Sequence, residues 1–482
     1  MLLVWLLFLT PLVVGQTSVD PVIAEALKPS PIETNLHRLT DEVGGRVPGT
    51  PAMQKAVDWG IEAFKAAGAD SVHTEEFTIP ASWAEGATRM SIVAPEEFRL
   101  RVVSLAWAPA LAAQHHVPVI DIGEATEQDF AKAGNVAGAI LLVHSSEMAT
   151  WDDLFAEYLK APAMIDRAVK AKALAIAFQS TRPHDLLYRH TNSLAGRIDR
   201  LPMVLVARED ASRMARLIAS GQKLYADLEI PNHIGGPITA ANVVGELRGS
   251  EKPDEFVVVG AHLDSWELGT GALDDGCNAA LVIDALRAIK ASGLRPRRSI
   301  RFILFSGEEQ GMLGSHAYAV SHRSELDKAA GVIVFDGGVG AVSGFSLGGR
   351  KDILPAATEL VAPLRQFNAT TLTTDIEWGC DHYDFMLEGV PTLLANQVEG
   401  NYLINYHAMS DTYDKVDFPQ LKKHVAEAAA VAFQIADRSE RIGPRLKRAQ
   451  IEQTIRETHH DDLMKTFGMW DLWQSGKLGR SE

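Results

Sequence analysis

Cysteine is almost missing: Cys277 and Cys380 are the only two in 482 residues. A disulfide framework is therefore excluded, and at most one bridge can form. Basic runs are missing too. Lys and Arg number 46 against 62 Asp and Glu, a net charge of −16, and no block of cations offers a nucleic-acid backbone a matching face. Long apolar runs are scarce. Only residues 1–14 are nearly uninterrupted, and that stretch falls short of the roughly 20 residues a membrane-spanning helix needs. No internal repeat or low-complexity tract stands out. What remains, 46% hydrophobic and 22% charged, is the composition of a globular protein with a large core. At roughly 100–200 residues per domain, the length predicts two or three units.

The apolar leader ends at the small Gly15 before Gln16-Thr17-Ser18. This matches a signal-peptide h-region better than an anchor, although no basic residue precedes it. Residues 1–16 are read as a signal peptide and the mature chain as exported, with no stable membrane span. The sequon Asn368-Ala369-Thr370 is of a kind common by chance and decides nothing.

Residues 21–39 and 53–67 read as helices, and 72–79 alternates as a strand. The stretch 98–236 has a different texture: short strand-like runs at 117–120, 138–143, 174–178 and 203–206 between polar helices. It reads as a separate inserted unit. From 237 to 445 the rhythm is strand–helix–strand. Runs 256–261, 300–305, 331–335 and 391–395 are apolar in the manner of strands buried on both faces, with helices at 279–291, 352–365 and 421–435. The expected fold class is α/β, a mostly parallel central sheet flanked by helices, with residues 17–97 as the N-terminal part of the same domain. The tail, 446–482, is polar with Phe467, Trp470 and Trp473, and is expected to pack as a helix without an assigned role.

In α/β sheets ligands gather beyond the carboxyl ends of the strands. Here the first buried strand leads into His262-Leu263-Asp264-Ser265-Trp266 and then Gly271-Ala272-Leu273-Asp274-Asp275-Gly276. The second leads into Ser306-Gly307-Glu308-Glu309, the third into Asp336, and the fourth into a loop with Tyr406-His407. Singly, each has an ordinary explanation, since a histidine after a strand is more often structural and paired acids usually mark a solvated turn or helix N-terminus. Together they would crowd acids at one sheet edge, where like charges disfavour mutual ionisation unless a cation joins them. Imidazole and carboxylate without thiolate fit zinc. Five ligands suit two ions sharing one carboxylate. Adjacent Glu308 and Glu309 then need different tasks, one ligating and one facing the water.

These motifs, with Gly307-Glu308-Glu309-Gln310-Gly311 and Ser410-Asp411-Thr412, resemble those of the co-catalytic zinc aminopeptidase and glutamate carboxypeptidase family. The resemblance is specific over about 242–418 and weaker before it; the Asp-Ser-Trp and Asp-Asp-Gly forms point to one branch. It implies two Zn2+ per chain held by His262, Asp274, Glu309, Asp336 and His407, with Asp274 as the bridge. It also implies Glu308 as general base, Asp264 orienting His262, and Asp411 in the same role for His407. Tyr406 would bind the oxyanion. A cis peptide after Asp274, a protease-associated insert at 98–236 and a homodimer are further implications.

The resulting reading is an exported di-zinc exopeptidase for dipeptides or short peptides. An aminopeptidase preferring longer peptides is the alternative. A mono-zinc acyltransferase of the glutaminyl-cyclase kind and a non-catalytic receptor share the fold, but the intact ligand set argues against both. Which peptide end is held stays open, because Arg350 and Lys351 suit a carboxylate while Glu377, Asp381 and Glu399 suit an amine. Asp381-His382 and Trp266 suit either the pocket or its support, and Cys277 suits core packing.

Overall fold

The computed structural model describes residues 18–481, so the leader at 1–16 lies outside the described residues. The helix expected over 21–39 is divided into Asp20–Leu27 and Ile32–His37, followed by a short π-helical stretch at Arg38–Val43. Pro29 and Pro31 lack the N–H groups a continuous helix would need between them. The next helix, Pro51–Ala67, starts where the Thr50 hydroxyl accepts from the Met53 N–H and stops at Gly68, which takes a left-handed conformation.

An eight-stranded sheet forms the larger half. Its centre is four parallel strands in the spatial order Arg298–Phe305, Lys252–His262, Ala329–Val334 and Thr392–Gln397. The flanks mix the two directions, since Thr371–Thr373 at the far edge pairs in parallel with Val342–Ser346. Ile238–Leu247 and Ser71–Ile79 add antiparallel strands on one side; Val342–Ser346 runs antiparallel to Thr392–Gln397 on the other and carries Thr371–Thr373. These last two were not evident in the sequence, one being interrupted by Gly344 and the other only three residues long. Val257 and Val259 face the helices Asp20–Leu27, Cys277–Ala291 and Phe418–Asp437, while Val258 faces Tyr318 and Phe385. Both faces are thus buried, as the valine run requires.

A second eight-stranded sheet is built from residues between Arg89 and Ile230. It begins before the boundary expected at 98, because Arg89–Ala94 pairs with Leu224–Ile230. The helix Trp151–Lys170 packs Ala161, Ile165 and Ala168 on one face against Leu141 and Val143; Ala211 and Met214 pack on the other against Ile140 and Leu142. The tail forms three short helices, Arg448–Glu457, His460–Thr466 and Met469–Gln474, held by Ile451, Ile455, Met464 and Trp473 against Tyr383 and Leu387. Among the described residues no helix is long and apolar enough to cross a membrane.

One buried group makes the fold pH-sensitive away from any site. Glu427 is completely buried, neither carboxylate oxygen has a hydrogen-bond partner, and burial pushes it up from 4.5 to about 9. The folded chain therefore keeps a proton that the unfolded chain releases, and stability falls as pH rises from about 4.5 toward 9. Glu427→Met is expected to be more stable than wild type, with the gap widening by about 2–4 kcal/mol between roughly pH 5 and pH 8.5. Denaturant unfolding at the two pH values measures it, and a gap independent of pH would refute it.

Candidate metal centre

The central strands deliver their chemistry to one edge. His262 is the last residue of its strand, Asp336 lies just beyond Val334, and Glu309 follows Phe305 through a turn at Gly307, whose φ is +76°. Asp274 sits in the irregular turn Ala272–Gly276, and the Asp274–Asp275 peptide is cis. His407 follows Tyr402–Asn405 with φ of +58°.

The structure brings all five expected ligands together. His262 Nε2 lies 3.0 Å from Asp274 Oδ1 and 3.7 Å from Asp336 Oδ1. His407 Nε2 lies 3.2 Å from Asp274 Oδ2 and 2.9 Å from Glu309 Oε2. Two triads result, His262-Asp274-Asp336 and Asp274-Glu309-His407, and in each the ligand atoms lie within 4.8 Å of one another. Asp274 belongs to both.

The electrostatics call for cations. Burial, with Asp274 nearby, pushes Glu309 up to about 7. Burial, then Asp336, Asp381 and Glu309, push Glu308 well above the carboxylate range. Burial pulls His407 down, but Glu309 and Asp274 outweigh it and hold the imidazole up at about 9. Asp274 Oδ2 and Glu309 Oε1 are buried without a hydrogen-bond partner. A cluster so rich in carboxylate is stabilised by a divalent ion, and imidazole with carboxylate oxygen is a donor set that fits zinc.

The supports differ in part from expectation. His262 Nδ1 donates to the Asp264 carbonyl at 2.9 Å, which turns the Nε2 lone pair toward the acids. The contact to His262 is thus made by the Asp264 backbone; its carboxylate is 3.8 Å from Nδ1. That carboxylate instead accepts from the N–H groups of Gly307, Glu308 and Glu309 at 2.8, 3.2 and 3.4 Å, fixing the turn that presents both glutamates. Asp411, expected behind His407, accepts from the N–H groups of Ala272, Leu273 and Asp274 at 3.1, 2.7 and 3.1 Å. Both corrections share one cause: buried turn N–H groups require acceptors, and these acids supply them.

A further residue had no signal in the sequence. Arg46, fully buried, donates to the carbonyls of Leu263, Gly44, Thr270 and Gly271 at 2.6, 3.1, 2.7 and 2.9 Å. Burial lowers its pKa to about 10, while Asp411, Asp264, Asp275 and Asp274 hold it up. The approach demands glycine beside it, since a Cβ on Gly45 would lie 2.3 Å from Glu267 Cα.

Above the centre is a cavity open to solvent, walled by Trp151 and Tyr158 from the second sheet's helix and by Trp378, Tyr402 and Tyr406. Glu308 and Cys380 also line it, and no described lining residue is Lys or Arg. Tyr406 stacks on the His407 ring with centroids 3.6 Å apart. Trp266 is buried edge-on to His407 at 6.0 Å and packs against its ring. Asp381 is completely buried without a hydrogen-bond partner. The charged candidates for binding peptide ends separate: Arg350 is tied to Asp352 and to the carbonyls of Gly389 and Pro444, Glu399 accepts from the Leu403 N–H, and Lys351 is exposed. Both cysteines are free thiols.

Residues 242–432 match the model of Peptidase family M28. The chain is 27% identical over 406 residues to carboxypeptidase Q of Mus musculus, a match covering 84% of this chain and 85% of that one. It is 26% identical over 406 residues to carboxypeptidase Q of Homo sapiens, with the same coverage. Among solved structures it superposes on a peptidase M28 precursor from Shewanella amazonensis SB2B with a TM-score of 0.80 and 28% identity, over 89% of this chain and 98% of that one. A zinc aminopeptidase from Bacillus subtilis shares the fold, with a TM-score of 0.67 and 21% identity over 86% and 97% of the two chains.

Proposed function

Because the chain is a zinc metallopeptidase whose residues 242–432 belong to peptidase family M28, we propose that it is an exported di-zinc exopeptidase that hydrolyses dipeptides or short peptides. The observation that carries the di-zinc reading is the pair of ligand triads with Asp274 in common. His262 and Asp336 would hold one ion, His407 and Glu309 the other, and Asp274 both. Zinc held by these residues would supply Lewis acidity toward a carbonyl oxygen and toward water.

The protein's own groups do the rest. Glu308 lines the cavity beside the ligand Glu309, on the turn gripped by Asp264. From there its carboxylate takes a proton from the attacking water and returns it to the leaving amine. Tyr406, also on the wall, would donate its hydroxyl proton to the oxyanion. The second sheet, read as a protease-associated-like insert, completes the cavity through the helix Trp151–Lys170.

The lining also favours one peptide end. It offers carboxylates and aromatic rings but, among the described residues, no cation for a free C-terminal carboxylate. A substrate held by its free amine fits this lining. With a set of dipeptides, blocking the amine is expected to lower kcat/KM by about 10–100-fold, and amidating the carboxyl terminus to matter far less. The reverse pattern would refute recognition of the amine. Metal analysis of the pure protein tests the di-zinc reading directly: two zinc ions per chain are expected, and one or none would overturn it, one ion favouring the glutaminyl-cyclase-like alternative.

A further inference from the structure

The two histidine ligands are supported from different parts of the molecule. His262 is fixed within the peptidase sheet, its Nδ1 on the Asp264 carbonyl. Among the described residues no carbonyl takes that place beside His407 Nδ1. Asp411, the nearby acid, is engaged by the 272–274 turn, and what faces His407 Nδ1 is the Tyr158 hydroxyl at 3.4 Å, from the helix Trp151–Lys170 of the second sheet. That hydroxyl also lies 3.3 Å from the Tyr406 hydroxyl.

We propose that Tyr158 is the positioning residue for His407 and that it directs the Tyr406 hydroxyl toward the cavity. The proton count sets the direction. His407 Nε2 faces Asp274 and Glu309 and must keep its lone pair to act as a ligand, so a neutral imidazole carries its proton on Nδ1. Nδ1 donates, and the Tyr158 oxygen accepts. The single proton of Tyr158 then turns to the Tyr406 oxygen, and the proton of Tyr406 points into the cavity. Both contacts lie at the long end of the hydrogen-bond range, where contacts in substrate-free catalytic sites commonly sit before they tighten.

Independent contacts tie the same loop to the same unit. The Arg189 N–H donates to the His407 carbonyl at 3.0 Å, the Met409 N–H to the Leu187 carbonyl at 3.0 Å, and the Arg182 guanidinium to the Tyr406 carbonyl at 3.2 Å. The left-handed backbone of His407 is thus clamped on both sides by residues 182–189. The second unit supplies a working part of the centre as well as a wall of its cavity.

This inference rests on the di-zinc reading, and Tyr158→Phe tests it because the change removes one oxygen from an intact ring. Zinc affinity is read by competition with a chelator. One ion is expected to bind about 10–100-fold more weakly than in wild type and the other unchanged. Turnover should show a lowered kcat with a smaller change in KM. Tyr406→Phe is expected to keep wild-type affinity for both ions while kcat falls. Unchanged affinity in Tyr158→Phe overturns the proposal. So does equal weakening of both ions, or equal weakening by the two variants. Unfolding of the metal-free proteins separates misfolding: a Tyr158→Phe protein that melts early and loses both ions together also overturns the assignment. If wild type takes up a single zinc, the di-zinc reading fails, while the affinity ratio at that ion still decides whether Tyr158 acts through His407.

Discussion

Glu308→Gln is expected to lower kcat by about 10²–10⁴-fold while the protein keeps its full zinc content. The glutamine matches the glutamate in shape, so the turn, held through backbone N–H groups by Asp264, has no reason to move. Glu308 belongs to neither triad, so removing its charge leaves both ligand sets intact. In the proposed role, what the variant loses is a base that carries a proton in the transition state, and such a loss appears in kcat rather than in substrate binding. Steady-state kinetics with metal analysis of the same sample decides it. Full activity in the variant would refute the assigned role, and loss of zinc would show that Glu308 is a ligand.

The second large effect is one of stability. Arg46→Met is expected to destabilise the protein by about 3–5 kcal/mol and to weaken zinc retention. The methionine fills the space, but the carbonyls of Leu263, Thr270 and Gly271 lose buried donors, and Asp411 and Asp264 lose a nearby positive charge. Arg46→Lys is expected to recover only part of this, since an ammonium with three donors cannot span four carbonyls set around a planar fork. Denaturant unfolding of metal-free protein gives the free energy. A Met variant as stable as wild type would show that the guanidinium is dispensable.

How much of this was legible in the sequence depended on distance along the chain. The valine run ending at His262 and the apolar run ending before Glu308-Glu309 announce strands buried on both faces, and the residues after them fall at the ligand edge. The two-residue local pattern was enough because a strand fixes the direction of whatever follows it. The roles of Asp264 and Asp411 were less legible, since an acid's partner depends on which turn folds beside it. Asp264 works by its carbonyl on one side and its carboxylate on the other, a division no residue type encodes. Arg46 and Tyr158 were invisible. Arg46 stands 217 positions from Leu263 and Tyr158 stands 249 from His407, so neither contact leaves any periodic trace.

That separation at Arg46 bears on the order of events in making the enzyme. The loops around Asp274 are stitched to residues 44–46, and the whole second sheet lies between them in the chain. The last of the proposed ligands, His407, follows later still. A nascent chain therefore cannot assemble the centre piecemeal as its strands emerge: the long loop must close and the second unit must fold before the clamp on His407 exists. Metal capture is accordingly expected late, coupled to the completion of the whole architecture and not to the folding of the segment that carries the proposed ligands.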